Sequence, residues 1–175
     1  MGEFGEEGRE GQHPFKRVQT YIPDFRGYSR REDLKDADRM IRMVLSQKLT
    51  LARKHLEESV RILENALLYE DMEFLVSLLS ALKRIESEVA YAESGFSWLA
   101  SDISLGEEEL ERLYELDAQL LDIATLILRK SEETKSASSA GNRPNLKSNF
   151  VDMRTKLTML EDTFRKRMLS LNRLE

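Results

Sequence analysis

Histidines, carboxylates and hydroxyls are the groups through which this chain could do chemistry, and their spacing favours none of the familiar reactions. Only His13 and His55 are present, and there is no cysteine. His55 stands one helical turn before Glu58. A di-iron bundle needs two Glu-x-x-His motifs and further inward carboxylates, so one pair in reversed order argues against a metal centre. Lack of cysteine excludes thiolate ligands, thiol nucleophiles and disulfides, and fits a cytoplasmic protein. No Gly-rich phosphate loop, dinucleotide fingerprint or G-x-S-x-G elbow occurs. The expectation is a protein with no catalytic residues, no cofactor and no metal. Asp117 stands out among the acids because Tyr114, Leu120 and Leu121 place it beside an apolar stripe. It is expected to bond a tyrosine hydroxyl or a basic residue across a helical core. Asp122 is expected to face solvent.

The elements that must hold these groups are helices. The 175 residues are 41% hydrophobic and 34% charged, with 8 Gly and 3 Pro, a balance suited to long helices with solvated outer faces. Leu75, Leu78, Leu82, Ile85, Val89, Ala92, Phe96 and Leu99 follow alternating steps of three and four, which sets one apolar residue per turn on a single seam. Such a seam needs partners, and three other stretches supply them. One begins after Ser29-Arg30-Arg31-Glu32, a capping-box pattern, and runs to about Leu68, on the order of 58 Å at 1.5 Å per residue. Its seam contains two successive four-residue steps, Ile41 to Leu45 to Leu49, which relax a heptad supercoil. Tyr69 to Met72 reads as the reversal, with Asp71 as N-cap of the second helix. The second helix is expected to end near Asp102, with Tyr91, Phe96 and Trp98 packing in the core. Ser104-Leu105-Gly106-Glu107 supplies another capping box, and Leu113, Leu116, Leu120, Ile123 and Ile127 mark the third helix.

The fold class is therefore all-α, an antiparallel helical bundle with a long first hairpin, three core helices and a tethered fourth. Residues 1–20 read as a disordered tail and 21–29 as an extended aromatic arm. Residues 30–133 read as the three-helix bundle. The small polar run Ser136 to Gly141 marks residues 134–145 as a flexible linker. Residues 146–175 form a basic amphipathic helix, expected to fold back as a fourth member. Acids outnumber bases nine to three over residues 107–133, and bases outnumber acids eight to four over residues 143–175. The expected consequence is mutual attraction of the last two helices. The net charge of −5 argues against nucleic acid as a partner. No apolar run approaches the roughly 20 residues of a membrane span.

The stretch Ile22-Pro23-Asp24-Phe25-Arg26-Gly27-Tyr28, with Arg31-Glu32 and Ala37-Asp38-Arg39 behind it, resembles the opening of an uncharacterised family of small prokaryotic helical proteins with an IPGYxGYKxKE-type pattern. Asp24 and Ser29 depart from that pattern. Tyr91 to Phe96 and Glu109 to Asp117 are similar to a second stretch of the same family. The resemblance spans most of residues 21–130 and implies a prokaryotic source and a helical bundle, with no assigned reaction.

These readings converge on a non-enzymatic adaptor or scaffold acting through protein–protein association, self-association included. Tyr21, Phe25 and Tyr28 of the arm and Arg154, Arg165, Lys166 and Arg167 of the last helix are the expected partner-binding residues. The alternative is a peripheral membrane protein whose long hairpin polymerises on anionic lipid, although a basic amphipathic N-terminus is missing.

Overall fold

The computed structural model describes residues 11–92 and 105–172. Its helices are α1 (Pro14–Tyr21), α2 (Leu34–Asn65), α3 (Tyr69–Tyr91), α4 (Glu107–Ala140) and α5 (Arg143–Asn172), with a 3-10 turn at Arg31–Asp33. The seams read from the sequence are the core. Ile41, Leu45, Leu49, Ala52 and Leu56 of α2 have no exposed surface, so the two four-residue steps keep one continuous buried stripe. Leu75, Leu78, Leu82, Ile85 and Val89 do the same for α3. Phe96, Trp98 and Leu99 lie outside the described residues, as does the expected helix end near Asp102. Tyr91 is 83% exposed, not part of the core.

The four long helices form an all-α bundle in which α2 packs on α3 and α4, and α5 packs on α4 and α3. Successive helices alternate in direction, so α2 and α4 run parallel as neighbours, as do α3 and α5, while α3 and α4 stand on a diagonal. The last helix folds back onto the other three, so residues 30–133 do not stand apart as a separate three-helix bundle. The fourth long helix is an integral member, with Leu146, Met153, Leu160 and Leu171 fully buried.

The expected linker at 134–145 is also corrected. Helix α4 continues to Ala140 and the connection is only Gly141 and Asn142. The hydroxyls of Ser131, Thr134 and Ser138 donate to the carbonyls of Leu128, Lys130 and Thr134. Small side chains that satisfy their hydroxyls within the helix can be buried at a close helix contact, so a polar composition here does not mean solvated coil. Lys135 pairs with Glu58 of α2 at 2.5 Å, tying this end of α4 to its neighbour.

Both turns at this end of the bundle have the same hydrogen-bond pattern. Gly141 donates to Ser138 and Asn142 to Ala137, with Gly141 at φ 64°. Leu67 donates to Glu64 and Leu68 to Leu63, with Leu67 at φ 59°. These are Schellman closures, and Leu67 occupies the left-handed position that glycine fills in the other turn. The first reversal is thus 66–68, earlier than expected. Asp71 is not the N-cap; it lies in the first turn of α3, buried, where it accepts from Arg143 Nε at 2.8 Å.

The N-terminal part differs most from expectation. Residues 14–20 of the expected tail and Tyr21 of the expected extended arm are helical, Pro14 at the helix start having no N–H to satisfy. Val18 is completely buried and α1 packs on α4. The Ser29 capping box is unused. The 3-10 turn has no side-chain cap, and α2 begins only at Leu34. The α4 start likewise has Gly106 as N-cap without a side-chain bond, and Ser104 of its expected box lies outside the described residues.

Candidate functional site: a buried polar layer and an open apolar cleft

Residues 14–30 form a strap across α4 near the end of the bundle where α2 and α4 begin. Its aromatic residues hold it there. Phe15, Phe25, Tyr28 and Tyr114 pack with ring centroids 5.1 to 6.2 Å apart, an arrangement that adds to the simple burial of their faces. Gly27, at φ 79°, allows the chain to turn beneath Tyr114; a Cβ there would collide with the Tyr114 hydroxyl. That hydroxyl accepts from the Tyr28 backbone N–H at 3.1 Å. Along the outer side Arg17 bonds Glu115 at 3.2 Å and Asp122 at 2.6 Å, and the Tyr21 hydroxyl donates to Asp122 at 2.5 Å. Asp122 is therefore engaged by the strap, contrary to the expected solvent-facing position.

Below the strap lies a layer of charge without solvent access. Arg167 of α5, 0% exposed, donates from Nε to Asp117 of α4 at 2.6 Å, from Nη1 to Asp38 of α2 at 2.7 Å and from Nη2 to the Tyr28 hydroxyl at 2.9 Å. Tyr28 in turn donates to the second oxygen of Asp117 at 2.5 Å. Asp117 thus finds both a tyrosine hydroxyl and a basic residue across the bundle, as its place in the sequence suggested. Burial pushes its carboxyl above the ordinary range, opposed by Arg167 and Tyr28. Burial also pushes the Tyr28 hydroxyl well up. For Arg167 burial acts downward, but Tyr28, Asp117 and Asp38 together hold it well above its ordinary value. Arg167, Asp117 and Tyr28 find their donors and acceptors within the protein, which is the condition under which buried charge is tolerated.

The layer continues to α3. Arg42 Nε lies 3.0 Å from the second oxygen of Asp38. Its Nη1 donates to the carbonyls of Val89 and Ala92 at 3.2 and 2.5 Å, closing the C-terminal end of α3. Its Nη2 is 3.5 Å from Met168 Sδ, and the guanidinium stands 5.8 Å from the centre of the Phe164 ring. Beyond it, between α3 and α5, is a shallow cleft of about 500 Å³ lined by Tyr91, Ala92, Phe164 and Met168, with Ser87, Glu88 and Arg165 along its lips.

The expected partner-binding residues therefore separate into two groups. Phe25 and Tyr28 are 1% exposed, Tyr21 is half-buried and Arg167 is sealed. For these four residues, aromatic packing and charge pairing within the chain occupy the surfaces that a partner was expected to use. Arg154, Arg165 and Lys166 remain exposed. Arg154 stands 5.7 Å from the Phe74 ring, and Arg165 bonds Glu161 at 2.7 Å. The expected pairing of an acid of α4 with a base of α5 is seen in Asp117–Arg167, whereas Lys130–Asp152 at 3.5 Å joins the two helices with the signs reversed, and Arg84 takes Glu161 and Asp71 takes Arg143, both toward α3.

Asp38 and Arg42 are the members of the layer that sequence reasoning missed. Asp38 follows Ala37 on the seam of α2, and Arg42 is one turn on, a spacing that signals an i,i+4 pair; surrounding charges hide it. Among the described residues no three His, Asp or Glu side chains converge as metal ligands, and no helix is long and apolar enough to cross a membrane. Comparisons with protein-family models, with curated proteins and with solved structures found no match to this chain.

Proposed function

We propose that this protein is a non-enzymatic adaptor or scaffold that binds another protein, and that the open end of the α3–α5 groove receives an amphipathic helix of that partner. The observation carrying this reading is the cleft itself, where Tyr91, Phe164 and Met168 form an apolar floor between two parallel helices. A third helix laid in such a groove buries one apolar stripe while its flanks meet the lips. Glu88 on one lip and Arg165 on the other favour a partner helix with a basic flank and an acidic flank. Support comes also from the buried layer. Burial and mutual pairing shift the titration of Tyr28, Asp117 and Arg167, a frequent mark of reactive sites, yet the three saturate one another beneath the strap.

The test is a photo-crosslinking amino acid placed in cells at Tyr91 and, as reference, at Lys54, an exposed position on α2. A discrete protein adduct is expected from position 91 and not from 54, and it should disappear with Met168→Glu. Equal labelling from both positions, or no protein adduct from either, counts against the proposal.

A further inference from the structure

The strap and the cleft lie on different sides of the bundle but share one set of charges. Asp38 divides its carboxylate between Arg167, at 2.7 Å, and Arg42, at 3.0 Å. Arg42 holds the last carbonyls of α3 and touches Phe164 and Met168, which line the cleft. At the other end of the chain of contacts, the Tyr28 hydroxyl donates a hydrogen bond to Asp117 and accepts one from Arg167. Neither Arg167 nor Asp117 has exposed surface, so water cannot substitute for Tyr28 while the bundle stays closed. A guanidinium that loses an acceptor in such a place turns toward the remaining carboxylates. It then draws on Asp38 at the expense of Arg42.

We propose that docking of the strap and closure of the α3–α5 end are one coupled event, with Tyr28 as the latch. Release of the strap frees the last turn of α3 and the 164–172 segment of α5, and so reshapes the cleft. The coupling stands whether or not a partner helix occupies that cleft. Arg17 provides the contrast, because its bonds to Glu115 and Asp122 tie the strap to α4 alone and do not reach Asp38.

Hydrogen exchange of the full chain, read by mass spectrometry, tests this with Tyr28→Phe and Arg17→Leu. Tyr28→Phe should speed exchange roughly tenfold in the strap, at residues 89–92 and at 164–172, the scale set by one unsatisfied buried group. Arg17→Leu should speed the strap alone. Acceleration of the strap alone in Tyr28→Phe, or of all three segments in both variants, would overturn the coupling. Amides of residues 52–63 report general loosening. If they accelerate in Tyr28→Phe, the reciprocal variant Arg42→Gln decides, since coupling acts in both directions. Faster strap exchange in that variant supports the proposal, and an unchanged strap overturns it.

Discussion

A guanidinium with no exposed surface must find all its partners within the protein, and Arg167 draws them from the strap, α2 and α4. Removing it leaves Asp117 buried with no cation and Asp38 with Arg42 alone, so Arg167→Met is expected to cost about 3–5 kcal/mol in urea denaturation. Adding Asp117→Leu should recover part of that loss, because the charge left without a cation is then gone. Glu161 presents the opposite case at the surface. Its bond to Arg84 holds its carboxyl below the ordinary value of 4.5. A depressed carboxyl contributes stability that is present above the unfolded value and lost as pH falls through the folded one. Asp117, which burial raises, has the reverse sign: charging it costs, so its contribution declines as pH rises through its elevated value. Carboxyl titration by NMR should find Glu161 shifted down in the native chain and returned toward 4.5 in Arg84→Ala; no movement would show that the pair does not form in solution.

At the scale of elements, two turns with the same hydrogen bonds differ in one residue. Leu67 occupies the left-handed region at 68% exposure, whereas Gly141 fills the equivalent place with nothing near its missing Cβ. A left-handed non-glycine residue costs roughly 1–2 kcal/mol. Leu67→Gly is therefore expected to stabilise the bundle by about 1 kcal/mol, and Gly141→Ala to destabilise it by a similar amount. Calorimetry of the two variants gives opposite shifts in Tm if the backbone is the cause, and shifts of one sign if it is not. The helical seams were legible because an apolar residue every turn has one physical meaning. The ends of the helices were not. Ser29 and Asp71 have the composition of caps, but neither caps: α2 begins past the Ser29 box, and Asp71 lies inside α3, paired with Arg143. Ser136 to Ala140 have the composition of a linker, yet hydroxyl bonds within the helix and contact with α2 keep them helical.

Across the whole molecule, the class and the four long helices follow from periodicity, whereas the order of neighbours does not. Placement of α2 beside α4 and of α3 beside α5 depends on side-chain size at close contacts and on a few charges, which no repeat in the chain announces. The candidate site was legible only in part. Asp117 was identifiable because a lone acid beside an apolar stripe needs a partner. Arg167 looked like one more member of a basic face. The strap was hidden because its helix is short and its anchoring contacts lie about a hundred residues away, as His13 and Arg17 do from Glu111 and Glu115.

That separation has a consequence during synthesis. Tyr28 leaves the ribosome 139 residues ahead of Arg167. At about 5–20 residues per second the latch waits roughly 7 to 28 s for its counterpart. Until Tyr114 of α4 has emerged, Phe15, Phe25 and Tyr28 are available to other chains, and Asp117 then waits for the cation that Arg167 supplies. A nascent chain stalled before residue 167 lacks the cation that Tyr28 and Asp117 share at this end of the bundle.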